Sequence, residues 1–157
     1  MLALFRIDSR LLHFQTSKVW PAKLGADTIV VANDAVVGDA LRSSLMRMSA
    51  PSSCALEILT IEDAARRLGP GGDLEVRTVE LLVDSTDDAL RMARLLPEAR
   101  ELNAALLPGG ESKTMITPSL GISENDRENL KTLLDEGVDV QAFVTPEDRR
   151  VSIAGLI

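Results

Sequence analysis

The chain's only histidine, His13, stands in the run Arg6-Ile7-Asp8-Ser9-Arg10-Leu11-Leu12-His13-Phe14-Gln15, with Trp20 beyond it. Two arginines, an aspartate and that histidine fall within a few residues of one another. Histidine supplies a nucleophilic nitrogen near neutral pH, and an aspartate can orient the ring by accepting its N–H. Arginine is the side chain best shaped to hold phosphate oxygens. A lone histidine is commonly structural, but these neighbours point to one that carries a phosphoryl group. In that chemistry His13 is the nucleophile and carrier, and Asp8 orients it. Arg10 is the main oxygen ligand and Arg6 a secondary one.

The elements around the run suit that chemistry. Leu2-Ala3-Leu4-Phe5 is an apolar run that reads as a buried first strand. Apolar residues at Leu12, Val19 and Trp20, with polar ones between, read as an amphipathic helix. His13 then sits past the carboxyl end of a strand and at the mouth of a helix. Open α/β sheets bind ligands on that edge. Free backbone N–H groups and the positive dipole end of a helix favour a phosphoryl group there.

The pattern Arg6-Ile7-Asp8-x-Arg10-Leu11-x-His13-x-Gln15, with Trp20 after it, resembles the signature of a known family. These are the enzyme IIB components of the mannose/fructose/sorbose class of the bacterial sugar phosphotransferase system. The resemblance continues through Val30-Val31-Ala32-Asn33-Asp34, Val36, Asp39, Leu45, Met48 and Ala50-Pro51. It implies an open parallel sheet with a phosphorylated histidine, here His13, on the loop after the first strand. It implies a phosphorylated IIA protein as donor, membrane permease subunits (IIC/IID) as partners, and a sugar as final acceptor. It also implies a cytoplasmic protein, peripheral at the inner face of the membrane through its permease. Three departures stand out. Ser9 replaces a usual second aspartate, Phe14 a usual glycine, and Asn103-Ala104-Ala105-Leu106 a usual Asn-x-Gly-Gly. They keep open a regulatory phosphohistidine protein of the same ancestry that does not phosphorylate sugar. A non-catalytic α/β interaction domain is the reading from a different class.

Composition narrows the field further. A length of 157 residues fits one domain, 1–157, with a real core. Apolar content of 45% against 26% charged residues is that of an ordinary globular protein. Aromatic residues make up only 3%, so the core must be aliphatic. A formal net charge of -7 argues against nucleic acid and against an anionic membrane surface. One cysteine, Cys54, excludes an internal disulfide and a cysteine-based zinc cluster, and reads as a small buried residue. No basic-then-apolar leader and no stretch of membrane-spanning length is present.

Competing motifs fail on their spacing. Gly109-Gly110-Glu111-Ser112-Lys113-Thr114 resembles a phosphate loop, but Ser112 and Leu107 occupy its two required glycine positions. It reads as a turn, and no nucleotide or other cofactor is expected. Scattered carboxylates and one histidine give no metal site. Asp34 follows the second strand on the edge expected to carry His13, which makes it a candidate for lining the site, as is Phe14 beside the histidine.

Along the chain, strands are expected at Thr28–Ala32, Ala55–Leu59, Val76–Val83, near Arg100–Ala105, and at Val138–Val144. Helices are expected from Ala35 to Ser49, from Thr60 to near Gly69, from Ser85 to about Leu96, and after Ser123. Thr60 with Asp63 reads as a capping box, and Gly137 as a C-terminal cap. Strands and helices alternate with short turns. That is an α/β fold with an open, mainly parallel sheet and helices on both faces.

Overall fold

A computed structural model describes residues 1–157. Its strands are β1 (Leu2–Asp8), β2 (Thr28–Ala32), β3 (Ala55–Leu59), β4 (Val79–Val83), β5 (Glu101–Leu106), β6 (Thr114–Thr117), β7 (Leu120–Ile122), β8 (Asp139–Ala142) and β9 (Val151–Ser152). Its helices are α1 (Trp20–Leu24, entered through a π-helical turn at Gln15–Val19), α2 (Asp34–Val37), α3 (Ala40–Ser49), α4 (Ile61–Leu68), α5 (Thr86–Leu95) and α6 (Glu124–Asp135). The main sheet has seven strands in the order β3-β2-β4-β1-β5-β8-β9. Every pair in it is parallel except β8 with β9. The fold is therefore the expected α/β class with a mainly parallel sheet.

The sheet is covered on both faces because its strands are apolar on both. All five residues of β2 and all five of β4 are buried. On one face Phe5, Ile7, Val30, Leu81 and Val83 join side chains from α4, α5 and α6 in the larger cluster. On the other, Ile29, Val31 and Leu82 meet Leu11, Val36 of α2 and Met46 of α3. Successive residues of a strand point to opposite faces. With Phe5 and Ile7 in the larger cluster, Arg6 and Asp8 face the side of α1–α3.

The helix starts follow their capping residues. Thr60, Ser85 and Ser123 each accept a hydrogen bond from the third residue of the helix that follows. Asp63 does not close a box with Thr60, because its carboxylate pairs with Arg66 at 3.1 Å. The reciprocal box forms at Ser123 and Asp126 instead. Gly137 takes φ 85°, a conformation that costs glycine little, and so ends α6.

Several elements depart from expectation. The helix read from Ala35 to Ser49 is two helices, because Asn33 caps α2 and Asp39 caps α3. Strand β4 begins at Val79 rather than Val76, and β8 ends at Ala142. The turn at Gly109–Thr114 leads into an unexpected hairpin of β6 and β7. There Gly121 packs on Gly109 so closely that a Cβ would lie 2.6 Å from the Gly109 Cα. The tail returns as β9 on the edge of β8.

A candidate phosphoryl-carrying histidine site

Strand β1 delivers Asp8 to the carboxyl edge of the sheet, between β4 and β5. The chain then turns sharply. Leu11 takes φ 57°, unusual for a side chain with a Cβ, and is held there by complete burial among Ile29, Val31 and Val36. The buried Thr16 hydroxyl fixes the next residues: it donates to the Leu11 carbonyl at 2.7 Å and accepts from the His13 N–H at 2.9 Å. His13 therefore leaves the loop at a set angle, just before the first helical turn.

Asp8 is the hub of the site. It is fully buried, and its carboxylate lies 2.8 Å from His13 Nε2. Arg6 donates to the same oxygen from Nη2 at 2.9 Å and from Nε at 3.3 Å. The other oxygen accepts from the backbone N–H of Arg10 at 3.1 Å and from its Nε at 3.2 Å. Burial alone would raise the Asp8 carboxyl. The hydrogen bonds from His13, Arg10 and Arg6 outweigh it and hold the group well below the usual carboxylate range. Asp8 is an anion here, and it accepts from the ring.

That geometry distinguishes the two ring nitrogens. A neutral imidazole that donates from Nε2 keeps its lone pair on Nδ1. Nδ1 is met only by the Gln15 backbone N–H, at 3.3 Å. The ring is partly exposed, at 17% of its side chain.

The two arginines occupy different places. The side chain of Arg10 is 45% exposed beside the histidine. Arg6 is fully buried. Besides Asp8, its guanidinium donates to Asn103 Oδ1 at 3.0 Å and to the Val144 carbonyl at 2.8 Å. It also lies 5.7 Å from the centre of the Trp20 ring, and Trp20 Nε1 donates to the same Val144 carbonyl. The expectation that Arg6 holds phosphate oxygens does not fit a side chain with no surface, whose donors are spent on Asp8, Asn103 and the Val144 carbonyl. Asp34 does not join the cluster. Its carboxylate accepts from the Ile61 N–H at 3.0 Å and from Arg91 at 2.9 Å, which ties α2 to α4 and α5. Phe14 stands beside His13 and points outward, 69% exposed.

Asn103, Thr16 and the Val144 carbonyl support the site; of these only Asn103 stood in a run noted from sequence, and none was assigned a role there. Asn103 interrupts the apolar residues of β5 and matches the Asn of the family's Asn-x-Gly-Gly run, and both were available signals. It donates to the Phe143 carbonyl at 2.8 Å while it accepts from Arg6. No group of three or more histidine, cysteine or acidic side chains is arranged to hold a metal. Cys54 is buried and donates to the Ala26 carbonyl.

The cluster holds a histidine with Nε2 paired to a buried carboxylate and Nδ1 facing only a backbone N–H, beside an exposed arginine. The chain and its fold are similar to those of known proteins. The family model described as "PTS system sorbose subfamily IIB component" matches residues 2–157. A probable phosphotransferase enzyme IIB component of Streptococcus pyogenes is 28% identical, over 100% of this chain and 99% of its own. The sorbose-specific EIIB component of Klebsiella pneumoniae is 28% identical over 97% of this chain and 92% of its own. The crystal structure of the IIB domain of the Klebsiella pneumoniae sorbose permease superposes with a TM-score of 0.91 at 27% identity, covering 99% of this chain and 94% of that one. The chain belongs to the sorbose subfamily of IIB components of the sugar phosphotransferase system.

Proposed function

We propose that His13 carries the phosphoryl group, accepting it from a phosphohistidine on a IIA protein and passing it to a sugar held by membrane permease subunits (IIC/IID). The observation that carries this reading is the 2.8 Å pairing of His13 Nε2 with the buried Asp8 carboxylate, which leaves the lone pair on Nδ1, where only the Gln15 N–H meets it, as the nucleophile. In the first step Nδ1 attacks phosphorus. The donor's P–N bond breaks and a P–Nδ1 bond forms. The ring then carries positive charge, and the Asp8 anion stabilises it as it develops. In the second step a sugar hydroxyl oxygen attacks phosphorus, the P–Nδ1 bond breaks, and the hydroxyl proton is released.

Phosphoryl transfer asks the protein mainly for alignment and charge neutralisation. Arg6, Asn103 and the Val144 carbonyl supply alignment, since they lock Asp8 and through it the ring. Arg10 supplies neutralisation, because its exposed guanidinium can turn from Asp8 to the phosphoryl oxygens. The Gln15 N–H that now faces Nδ1 is placed to meet one of those oxygens. The names of relatives fit the partner scheme. One is the mannose-specific EIIAB component of Escherichia coli, 23% identical, of which this chain spans 48%. No helix is long and apolar enough to cross a membrane. We place the protein in the cytoplasm, at the membrane only through its permease.

The test is transfer from the phosphorylated IIA protein to wild type and to His13→Ala. Wild type acquires an acid-labile phosphoryl group and the variant acquires none while keeping its fold. Label retained on His13→Ala would overturn the assignment.

A further inference from the structure

Helix α3 buries only Met46 among its four large apolar residues. Leu41, Leu45 and Met48 are 72%, 55% and 82% exposed. Their spacing of four and three places them on one side of the helix. Val37 of α2 is exposed just before them, and Phe14 is exposed beside His13. Scattered apolar residues on a surface are ordinary, but an apolar row along one helix is not.

Two further observations say what covers it. The first is position. Leu11 and Leu12, which precede His13, pack into the same cluster as Val36 of α2 and Met46 of α3. A protein that brings a phosphohistidine to His13 therefore approaches over the elements whose inner faces share this cluster, α2 and α3 among them. The second is charge. The chain is acidic overall, at -7, yet α3 carries Arg42 and Arg47 and no acid. The segment from Ser9 to Ala26 carries Arg10, Lys18 and Lys23 and again no acid. An apolar row among cations complements a surface with apolar residues ringed by carboxylates. Self-association fits poorly, because two copies meeting on α3 would bring their arginines together.

We infer that the exposed row of α3, with Val37 and Phe14, is the docking surface for the phosphoryl donor, a IIA protein with an acidic, apolar-studded face. This rests on the carrier role proposed above. The energy of such an interface concentrates in central apolar anchors, while cations at its rim set the approach.

The experiment measures transfer to His13 at increasing concentrations of phosphorylated IIA protein, for wild type, Leu45→Asp, Arg42→Glu and the remote control Val76→Asp. Val76 is 86% exposed and precedes β4, at the opposite edge of the sheet. The half-saturating donor concentration should rise at least about tenfold for Leu45→Asp and several-fold for Arg42→Glu, and stay unchanged for Val76→Asp. Circular dichroism confirms that each variant is folded. Binding of unphosphorylated IIA protein to His13→Ala, followed by calorimetry, separates docking from chemistry. Binding that survives in His13→Ala and fails when Leu45→Asp is added supports the surface even if His13 accepts no phosphoryl group. Unchanged half-saturation for Leu45→Asp overturns it while leaving the carrier role standing. Leu45-dependent dimers, or Leu45-dependent retention on phosphatidylglycerol vesicles, with unchanged donor binding would overturn it in favour of a second copy or a membrane.

Discussion

Glu80 offers the sharpest test of how the sheet beneath the site is built. It lies within β4, fully buried, and neither carboxylate oxygen has a hydrogen-bond partner. Burial pushes its carboxyl from the ordinary 4.5 up to about 9. The charge of Arg6 opposes the rise and that of Asp8 adds to it. Folded Glu80 is therefore neutral at pH 7, while the unfolded chain ionises it. Folding takes up a proton, so the stability tied to this group is full below 4.5 and falls as pH rises towards about 9. The slope for one proton is about 1.4 kcal/mol per pH unit. Going from about pH 5.5 to about pH 8 should cost wild type about 3 kcal/mol through Glu80. Glu80→Gln keeps the shape and stays neutral, so its unpartnered amide adds only an offset that does not vary with pH. Denaturant unfolding of both proteins at the two pH values reads the difference directly. The stability gap should shift by about 3 kcal/mol in favour of the variant at the higher pH. Equal pH dependence in the two proteins would refute a neutral, buried Glu80.

Three further substitutions probe the site. Asp8→Asn leaves the buried Arg6 without its counter-charge and should cost about 3–5 kcal/mol in thermal or denaturant unfolding, with transfer slowed sharply; a variant as stable as wild type would show that the pair contributes little. Arg10→Lys replaces a fork with a point charge at a 45% exposed position, so transfer kinetics should slow while the melting temperature holds; unchanged kinetics would remove Arg10 as an oxygen ligand. Phe14→Gly truncates a ring that is 69% exposed, so stability should change by no more than about 1 kcal/mol, against the ~3–5 kcal/mol of a truncated core phenylalanine. Donor affinity measured on the same variant should fall, and a destabilised protein with unchanged affinity would remove Phe14 from the docking surface.

Much of this architecture was legible because its signals are local. The β-branched run Thr28–Ala32 is β2, and Ala55–Leu59 is β3. Thr60, Ser85 and Ser123 mark helix starts because a side-chain oxygen three residues ahead of a free N–H caps it wherever the chain goes. The cluster of Asp8, Arg10 and His13 was legible for a similar reason, since the three lie within six residues and both Arg10 and His13 reach the Asp8 carboxylate. Arg6 was misjudged because its fate depends on parity and distance. It shares a strand face with Asp8, and its other partners, Asn103 and the Val144 carbonyl, lie 97 and 138 residues away. Nothing in the run around His13 announces them. The same holds for β9, which exists only because β8 leaves an edge for it. The break between α2 and α3 had a local signal in Asp39, which was outweighed by continuous helical spacing of apolar residues on either side. Only Val36 of those residues is buried: Val37, Leu41, Leu45 and Met48 are exposed and form a surface, not a core.

The central claim is that His13 carries phosphorus on the nitrogen that Asp8 does not hold. Phosphorus–nitrogen coupling in NMR spectra of the phosphorylated protein, with ¹⁵N-labelled histidine, reads this directly because the chain has one histidine. The 2.8 Å contact at Nε2 predicts coupling to Nδ1, with the Nε2 proton still donated to Asp8. Phosphorus bonded to Nε2, or to any residue other than His13, would contradict the account.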